Sequence, residues 1–265
     1  MIGIFDSGLG GLSALKEVRR LMPHEDIIYF GDTGRVPYGT RSKETIIKYS
    51  LQDMKFLASH NIDAVMVACG TASSNALDIL RGEYPSIPII GVIDAGARAA
   101  AKATKNKIIG IAGTPSTIGS RAFETALCEI DSSFNTVSAA CPLFVPLVEN
   151  GFVSPDEEIT QLAAKIHLKS IIESGADTLI LGCTHYPIIT EAISKVVPGT
   201  ALINVGAAAA EEVRGIIADR TVDTLHIGKV EYFVSDEPQG FERIASIFLG
   251  EEITDKVTRI DIDKY

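Results

Sequence analysis

Val65-Met66-Val67-Ala68-Cys69-Gly70-Thr71 and Leu179-Ile180-Leu181-Gly182-Cys183-Thr184 repeat one pattern: a short apolar run, a small residue, a cysteine, then polar residues. Asp63 and Asp177 stand six residues ahead of the two cysteines, so the likeness reaches upstream. An apolar run this short, bounded by small polar residues, reads as a parallel strand buried on both faces. Each thiol then lies just past the carboxyl end of a strand, where open α/β sheets build their sites. Two such units facing each other present a thiol to each side of one substrate. That arrangement suits the transfer of a proton from one face of a carbon to the other.

Working outward, strand and helix signals alternate. Ile2 to Phe5 reads as a strand, broken by Asp6-Ser7-Gly8-Leu9-Gly10-Gly11 and followed by a helix pattern from Leu12 to Val18. Ile27 to Phe30 is a second strand, then a polar loop carries Val36-Pro37-Tyr38-Gly39, and an amphipathic helix runs from about Ser42 to Ser59. The Cys69 strand follows, then a helix around Ala76 to Arg81 and a strand at Ile89 to Ile93. This is the alternation of βαβ units on a mostly parallel sheet. It then restarts: strand Lys107 to Ile111, loop Ala112 to Thr117, a helix, Cys141 to Pro146, a helix from about Pro155 to Ser174, the Cys183 strand, and Ala201 to Gly206. The expected architecture is α/β: two pseudo-twofold-related α/β domains with mostly parallel sheets and an active site in the cleft between them. The first domain is expected over residues 1–95 plus 206–265 and the second over residues 96–205. The helix Ala207 to Ile217 and the stretch Leu225 to Ser235 have no counterpart and are expected to pack on the first domain.

Bulk properties narrow the function class. With 46% hydrophobic residues in 265, the chain can bury a large core or two modest ones. A formal net charge of -10 argues against a nucleic-acid backbone or an anionic membrane as partner, and leaves room for a local cationic pocket. No apolar stretch approaches the length of a membrane span, and no basic segment with a signal-peptide core opens the chain. A cytoplasmic location is the default expectation. Cys69, Cys128, Cys141 and Cys183 then read as free thiols.

Each motif has a plain reading beside the functional one. The turn Asp6 to Gly11 resembles a dinucleotide fingerprint, but Ser13 takes the third glycine position and Asp6 brings a negative charge to the phosphate site. Its exposed N–H groups suit a carboxylate ligand; a turn that simply lets strand and helix pack is an equal alternative. A lone buried cysteine is often a small hydrophobe, yet packing does not require thiols at both duplicated positions. A polar loop and helix after each thiol are expected to lower its pKa through the helix dipole. Cys128 and Cys141 lack this frame and read as structural. Cys183-Thr184-His185 lacks the further ligands a metal site needs. A Cys–His nucleophile pair is conceivable there, but it leaves Cys69 without a role. His24, His60, His167 and His226 read as ordinary surface or helix residues. Val36-Pro37-Tyr38-Gly39 alone is a turn with an aromatic at its tip.

Together, FDSGLGGLSAL, YFGDTGRVPYGTRS, VACGTASSNAL, CPLFVPLVENG and LILGCTHYP resemble the glutamate racemases of bacterial cell-wall synthesis, in the aspartate/glutamate racemase family. The resemblance implies a cofactor-independent, metal-free isomerase that supplies D-glutamate for peptidoglycan and forms homodimers. It makes Cys69 and Cys183 the two bases and Asp6 and His185 the groups that tune them. Asp6 is then expected near Cys69 and His185 near Cys183. Substrate contacts implied in the same way are Asp6, Ser7, Tyr38, Gly39, Gly70, Thr71, Thr184 and His185, with Thr114 and Thr117 as weaker candidates. One position departs: the family's C-N-T triplet reads Cys69-Gly70-Thr71, so an asparagine amide is missing. The departure keeps two alternatives open, a racemase for aspartate or another acidic amino acid, and a non-catalytic amino-acid-binding relative. Gly70→Asn is expected to restore a hydrogen bond to glutamate without displacing the thiols.

Overall fold

The computed structural model describes residues 1–218, 225–237, 241–253 and 255–265, with Glu242 described by its backbone alone. Among these residues, ten strands form two sheets. The first has six strands, β1 (Ile2–Asp6), β2 (Ile27–Gly31), β3 (Ala64–Val67), β4 (Ile89–Gly91), β9 (Val230–Val234) and β10 (Val257–Arg259), in the order β10-β9-β2-β1-β3-β4. The second has four, β5 (Ile108–Gly113), β6 (Asn135–Ala140), β7 (Thr178–Leu181) and β8 (Ala201–Asn204), in the order β6-β5-β7-β8. All pairings are parallel. Helices therefore cover both faces, which is why β1, β2, β3 and β7 are buried at every residue and read as unbroken apolar runs.

The two central strand pairs place the chemistry. β1 and β3 run side by side with Phe5 opposite Val67, so Asp6 and Cys69 leave neighbouring strand ends. β5 and β7 do the same in the second sheet, and Gly182 N–H donates to Ala112 O just before Cys183. The helix Val92–Ala103 carries the chain from one sheet to the other and packs against the helix Val205–Ile217, which leads back. After it, β9 pairs with β2 and β10 with β9, extending the first sheet. Both sheets contribute to one continuous apolar core.

Several elements differ from the sequence expectation. The loop expected after Cys69 is absent: the helix starts at Gly70 and runs to Glu83. Its Ser and Asn residues satisfy backbone groups instead of breaking the helix. Ser73 Oγ donates to Val67 O at 3.0 Å, Ser74 Oγ to Thr71 O at 3.1 Å, and Asn75 Nδ2 to Thr71 O at 2.8 Å. Past Cys183 there is only a 3₁₀ turn at Tyr186–Ile189 before the short helix Thr190–Val196. The helix expected from Pro155 to Ser174 begins at Glu158 and divides at Leu168. Strand β6, half-exposed and rich in small polar residues, was not legible by alternation.

Candidate active site

A cavity of about 340 Å³ opens between the carboxyl ends of the two sheets. Ser7, Tyr38, Gly39, Cys69, Gly70, Thr71, Thr114, Cys183, Thr184 and His185 line it, together with Cys141 and Glu149. Asp6 and Thr117 lie behind the wall, each 1% exposed.

Cys69 forms one side. It is the N-cap of the helix Gly70–Glu83; its sulfur accepts from Ala72 N–H at 3.4 Å and its S–H donates to Ser7 Oγ at 3.3 Å. Beneath it, Asp6 Oδ2 accepts from Gly8 N–H at 3.0 Å, while the buried Oδ1 has no hydrogen-bond partner. Burial raises the Asp6 carboxyl above its usual value, and the charge of His185 only partly offsets this. For Cys69, burial and then the Asp6 carboxylate push the thiol up to about 12. The expected lowering by the helix dipole is therefore overturned. A dipole at an N-terminus contributes roughly 0.3–1 kcal/mol, less than the cost of a buried charge facing another of like sign.

Cys183 forms the other side, in a different electrostatic setting. Its sulfur lies 3.8 Å from His185 Nδ1, and His185 Nε2 lies 2.9 Å from Glu149 Oε1. Burial alone would push His185 down, but its hydrogen bonds to Cys183 and Glu149 outweigh this and push it up to about 10. These contacts favour the protonated ring, whose Nδ1 faces the Cys183 sulfur. Phe248 packs edge-on against the imidazole with ring centroids 5.1 Å apart, and Ser13 Oγ, from the helix Leu12–Leu21, donates to Thr184 O at 2.7 Å. Asp6 and His185, expected on separate sides, are near enough to influence each other.

Glu149 was not singled out from the sequence. It is the last residue of the helix Phe144–Glu149, and the available signal was a carboxylate closing the apolar stretch Cys141-Pro142-Leu143-Phe144-Val145-Pro146-Leu147-Val148. Cys141, expected to be structural, shares the cavity wall; burial and the neighbouring Cys183 push it up to about 12, so it remains a thiol.

A chain of hydroxyls joins residues that follow β3 and β5, Thr71 Oγ1 to Thr114 Oγ1 at 3.1 Å and Thr114 Oγ1 to Thr117 Oγ1 at 3.0 Å. Thr71 and Thr114 line the cavity, and Thr117 lies behind them. Two expectations fail here. Tyr38 is not at a loop tip: its side chain is buried, and its hydroxyl turns away to Asp32 and Asp53. Gly70 also has no room for a side chain, because a Cβ there would overlap the carbonyl oxygen of Gly182. An asparagine at position 70 therefore needs a shift of the Gly182 carbonyl or of the Gly70 backbone, next to both thiols. Among the described residues no group of three or more His, Cys, Asp or Glu could hold a metal ion.

Two thiols, one from the end of each sheet, share one cavity, and the chain can be placed by likeness as well. Residues 12–213 match the family model described as Asp/Glu/Hydantoin racemase. The chain belongs to this family. Within the Asp/Glu/Hydantoin racemases it is 45% identical over 261 residues to a glutamate racemase of Geobacter metallireducens, covering 96% of this chain and 94% of that one. It is 42% identical over 262 residues to a glutamate racemase of a Sulfurihydrogenibium species, covering 98% of each. Among solved structures, the glutamate racemase of Francisella tularensis in complex with D-glutamate superposes with a TM-score of 0.91 at 36% identity, covering 100% of this chain and 98% of that one.

Proposed function

We propose that this chain is a glutamate racemase that interconverts L- and D-glutamate by passing the α-proton between Cys183 and Cys69, without a cofactor, and so supplies D-glutamate for peptidoglycan. The observation that carries this reading is the pairing of a thiol beside a cation (Cys183 and His185) with a thiol beside a carboxylate (Cys69 and Asp6) across one cavity. Beside the imidazolium, Cys183 acts as a thiolate and takes the α-proton. The C–H electron pair stays on Cα and spreads into the α-carboxylate, where preorganised donors stabilise it. Cys69, still protonated, gives its S–H proton to the opposite face and is left as a thiolate. The configuration is then inverted. The other enantiomer is turned over from the swapped form, with Cys69 charged and Cys183 protonated. Asp6, buried and with one oxygen unpartnered, can hold a proton beside Cys69 in that form.

Among the described residues no helix is long and apolar enough to cross a membrane. A cytoplasmic homodimer is part of the proposal, checked by fractionation and by light scattering. The decisive experiment follows optical rotation of L-glutamate, and separately of L-aspartate, after dialysis against a chelator. Decay of the glutamate signal to zero, with deuterium entering Cα in heavy water, is the expected result. Turnover of aspartate alone, or activity only with an added cofactor or metal, would overturn it.

A further inference from the structure

The stretch Val36 to Thr40 lines the cavity, yet it is irregular backbone apart from the single 3₁₀ turn Tyr38–Thr40. Such a segment is mobile unless its ends are tied down. Here Arg35, just ahead of the stretch, and Tyr38, at its middle, are tied to the same two buried carboxylates. Arg35 Nε donates to Asp32 Oδ2 at 2.7 Å and Arg35 Nη2 to Asp53 Oδ1 at 2.8 Å. Three residues on, Tyr38 Oη lies 2.9 Å from Asp53 Oδ2 and also contacts Asp32 Oδ2. Asp32 and Asp53 are fully buried, and the Arg35 guanidinium sits 4.2 Å from the centre of the Tyr49 ring. Ser235, just past β9, donates to the remaining oxygen of Asp32 at 2.7 Å.

This is a costly arrangement. One guanidinium faces two carboxylates, and burial together with Asp32 pushes Asp53 well above its usual value. Apolar residues of similar size could fill the space with equal stability, so stability alone does not account for it. None of Arg35, Asp32 and Asp53 lines the cavity; besides Gln52 and Ser235, their side chains bond one another and Tyr38, just ahead of the stretch that does and at its middle. That stretch brings Gly39 so close to Thr114 that a Cβ on Gly39 would lie 3.3 Å from Thr114 Cβ, and Thr114 is bonded to Thr71.

We propose that Arg35, Asp32 and Asp53 are positioning residues: a buried tether that holds Val36 to Thr40 against the substrate and sets the donors around Gly39 and Thr114 for a dicarboxylic amino acid. Its substrate class rests on the glutamate racemase reading. Two measurements on Arg35→Gln test it. In steady-state kinetics, KM for glutamate is expected to rise about tenfold, the scale of one lost charged hydrogen bond, with kcat per titratable active-site thiol nearly unchanged. In hydrogen exchange without substrate, the amides of Val36, Tyr38, Gly39 and Thr40 are expected to exchange at least about tenfold faster, since local opening is what the tether suppresses. Tyr38→Phe, which keeps the ring, is the milder variant should Arg35→Gln not fold, with the same directions expected. Unchanged exchange at these amides overturns the tether. So does an unchanged KM with activity lost only in proportion to unfolded protein. If the unaltered chain does not turn over glutamate, the functional reading fails, and the exchange measurement still decides the tether.

Discussion

Cys69 and Cys183 leave equivalent strand ends in two parallel sheets, but the groups around them are of opposite sign. Cys69 caps a long helix and looks onto the buried carboxylate of Asp6, and its thiol is pushed up to about 12. Cys183 has no long helix after it and instead faces His185, whose protonated form is favoured by its hydrogen bonds to Cys183 and Glu149. The duplicated units thus place two sulfurs symmetrically, and residues outside the repeated pattern make them electrically unequal. A proton-transfer enzyme needs this inequality: one sulfur must be ready to accept while the other is ready to donate.

The largest effect is expected from removing either sulfur. Cys69→Ser and Cys183→Ser are each expected to lower racemisation by at least about a thousandfold, because a serine hydroxyl is far too weak an acid for the exchange. Each variant is still expected to abstract the proton of an analogue with a β leaving group from the face of its remaining thiol. A variant that racemises at the original rate would mark its cysteine as structural.

Next comes the separation of the halves. Gly70→Ala puts a methyl group against the Gly182 carbonyl, and a misplacement of about 1 Å at a reacting centre costs on the order of a hundredfold. The expected result is a fall in kcat of that size for glutamate, and Gly70→Asn is expected to do no better. A variant with unchanged kcat and a lower KM would mean that the cleft opens freely and the contact is unimportant.

His185→Asn tests the electrical inequality of the two sulfurs. The two enantiomers have equal free energy, so kcat/KM must fall equally in both directions. The asymmetry is expected in kcat and KM taken separately, and in the isotope effect for proton removal by Cys183. A kcat loss of about a hundredfold in one direction is the expected scale for removing a group that tunes an acid–base catalyst. Stability carries a matching signature. The fold favours the imidazolium, raising it from 6.5 to about 10, so this contribution is complete below 6.5 and is lost as pH rises through about 10. The difference in Tm between the unaltered chain and His185→Asn is therefore expected to shrink over that window. A constant difference would remove the charge from the account.

The smallest effect is expected from Glu149→Gln, which keeps a hydrogen bond to His185 Nε2 but not the charge. A kcat loss of about tenfold, biased to the same direction as His185→Asn, matches a charge-assisted bond replaced by a neutral one. An unbiased loss would assign Glu149 to packing.

What the sequence made legible was what is local and repeated. The apolar runs into Cys69 and Cys183 specify buried parallel strands, and Asp6 and His185 lie within two residues of the strand ends or thiols they serve. Features that depend on contacts made by folding were not legible. Glu149 reaches His185 from a different helix. Asp53 lies on a helix whose polar residues read as a solvated face, yet it is fully buried against Arg35. Tyr38 looked like a loop tip because its partners Asp32 and Asp53 precede and follow it on separate elements. The start of the helix at Gly70 was hidden by a Thr, Ser and Asn run that reads as loop until its side chains are seen bonding back to the backbone.

The inequality of the two sulfurs can be measured directly by timed alkylation with iodoacetamide at neutral pH, with Cys69 and Cys183 followed separately by peptide mass mapping. The two are similarly buried, 5% and 7% exposed, so access does not decide the order. Cys183 is expected to be labelled at least about tenfold faster, since the thiolate is the reactive form, and the ratio is expected to collapse in His185→Asn. Equal rates, or Cys69 labelled first, would contradict the assignment of the charged sulfur to Cys183.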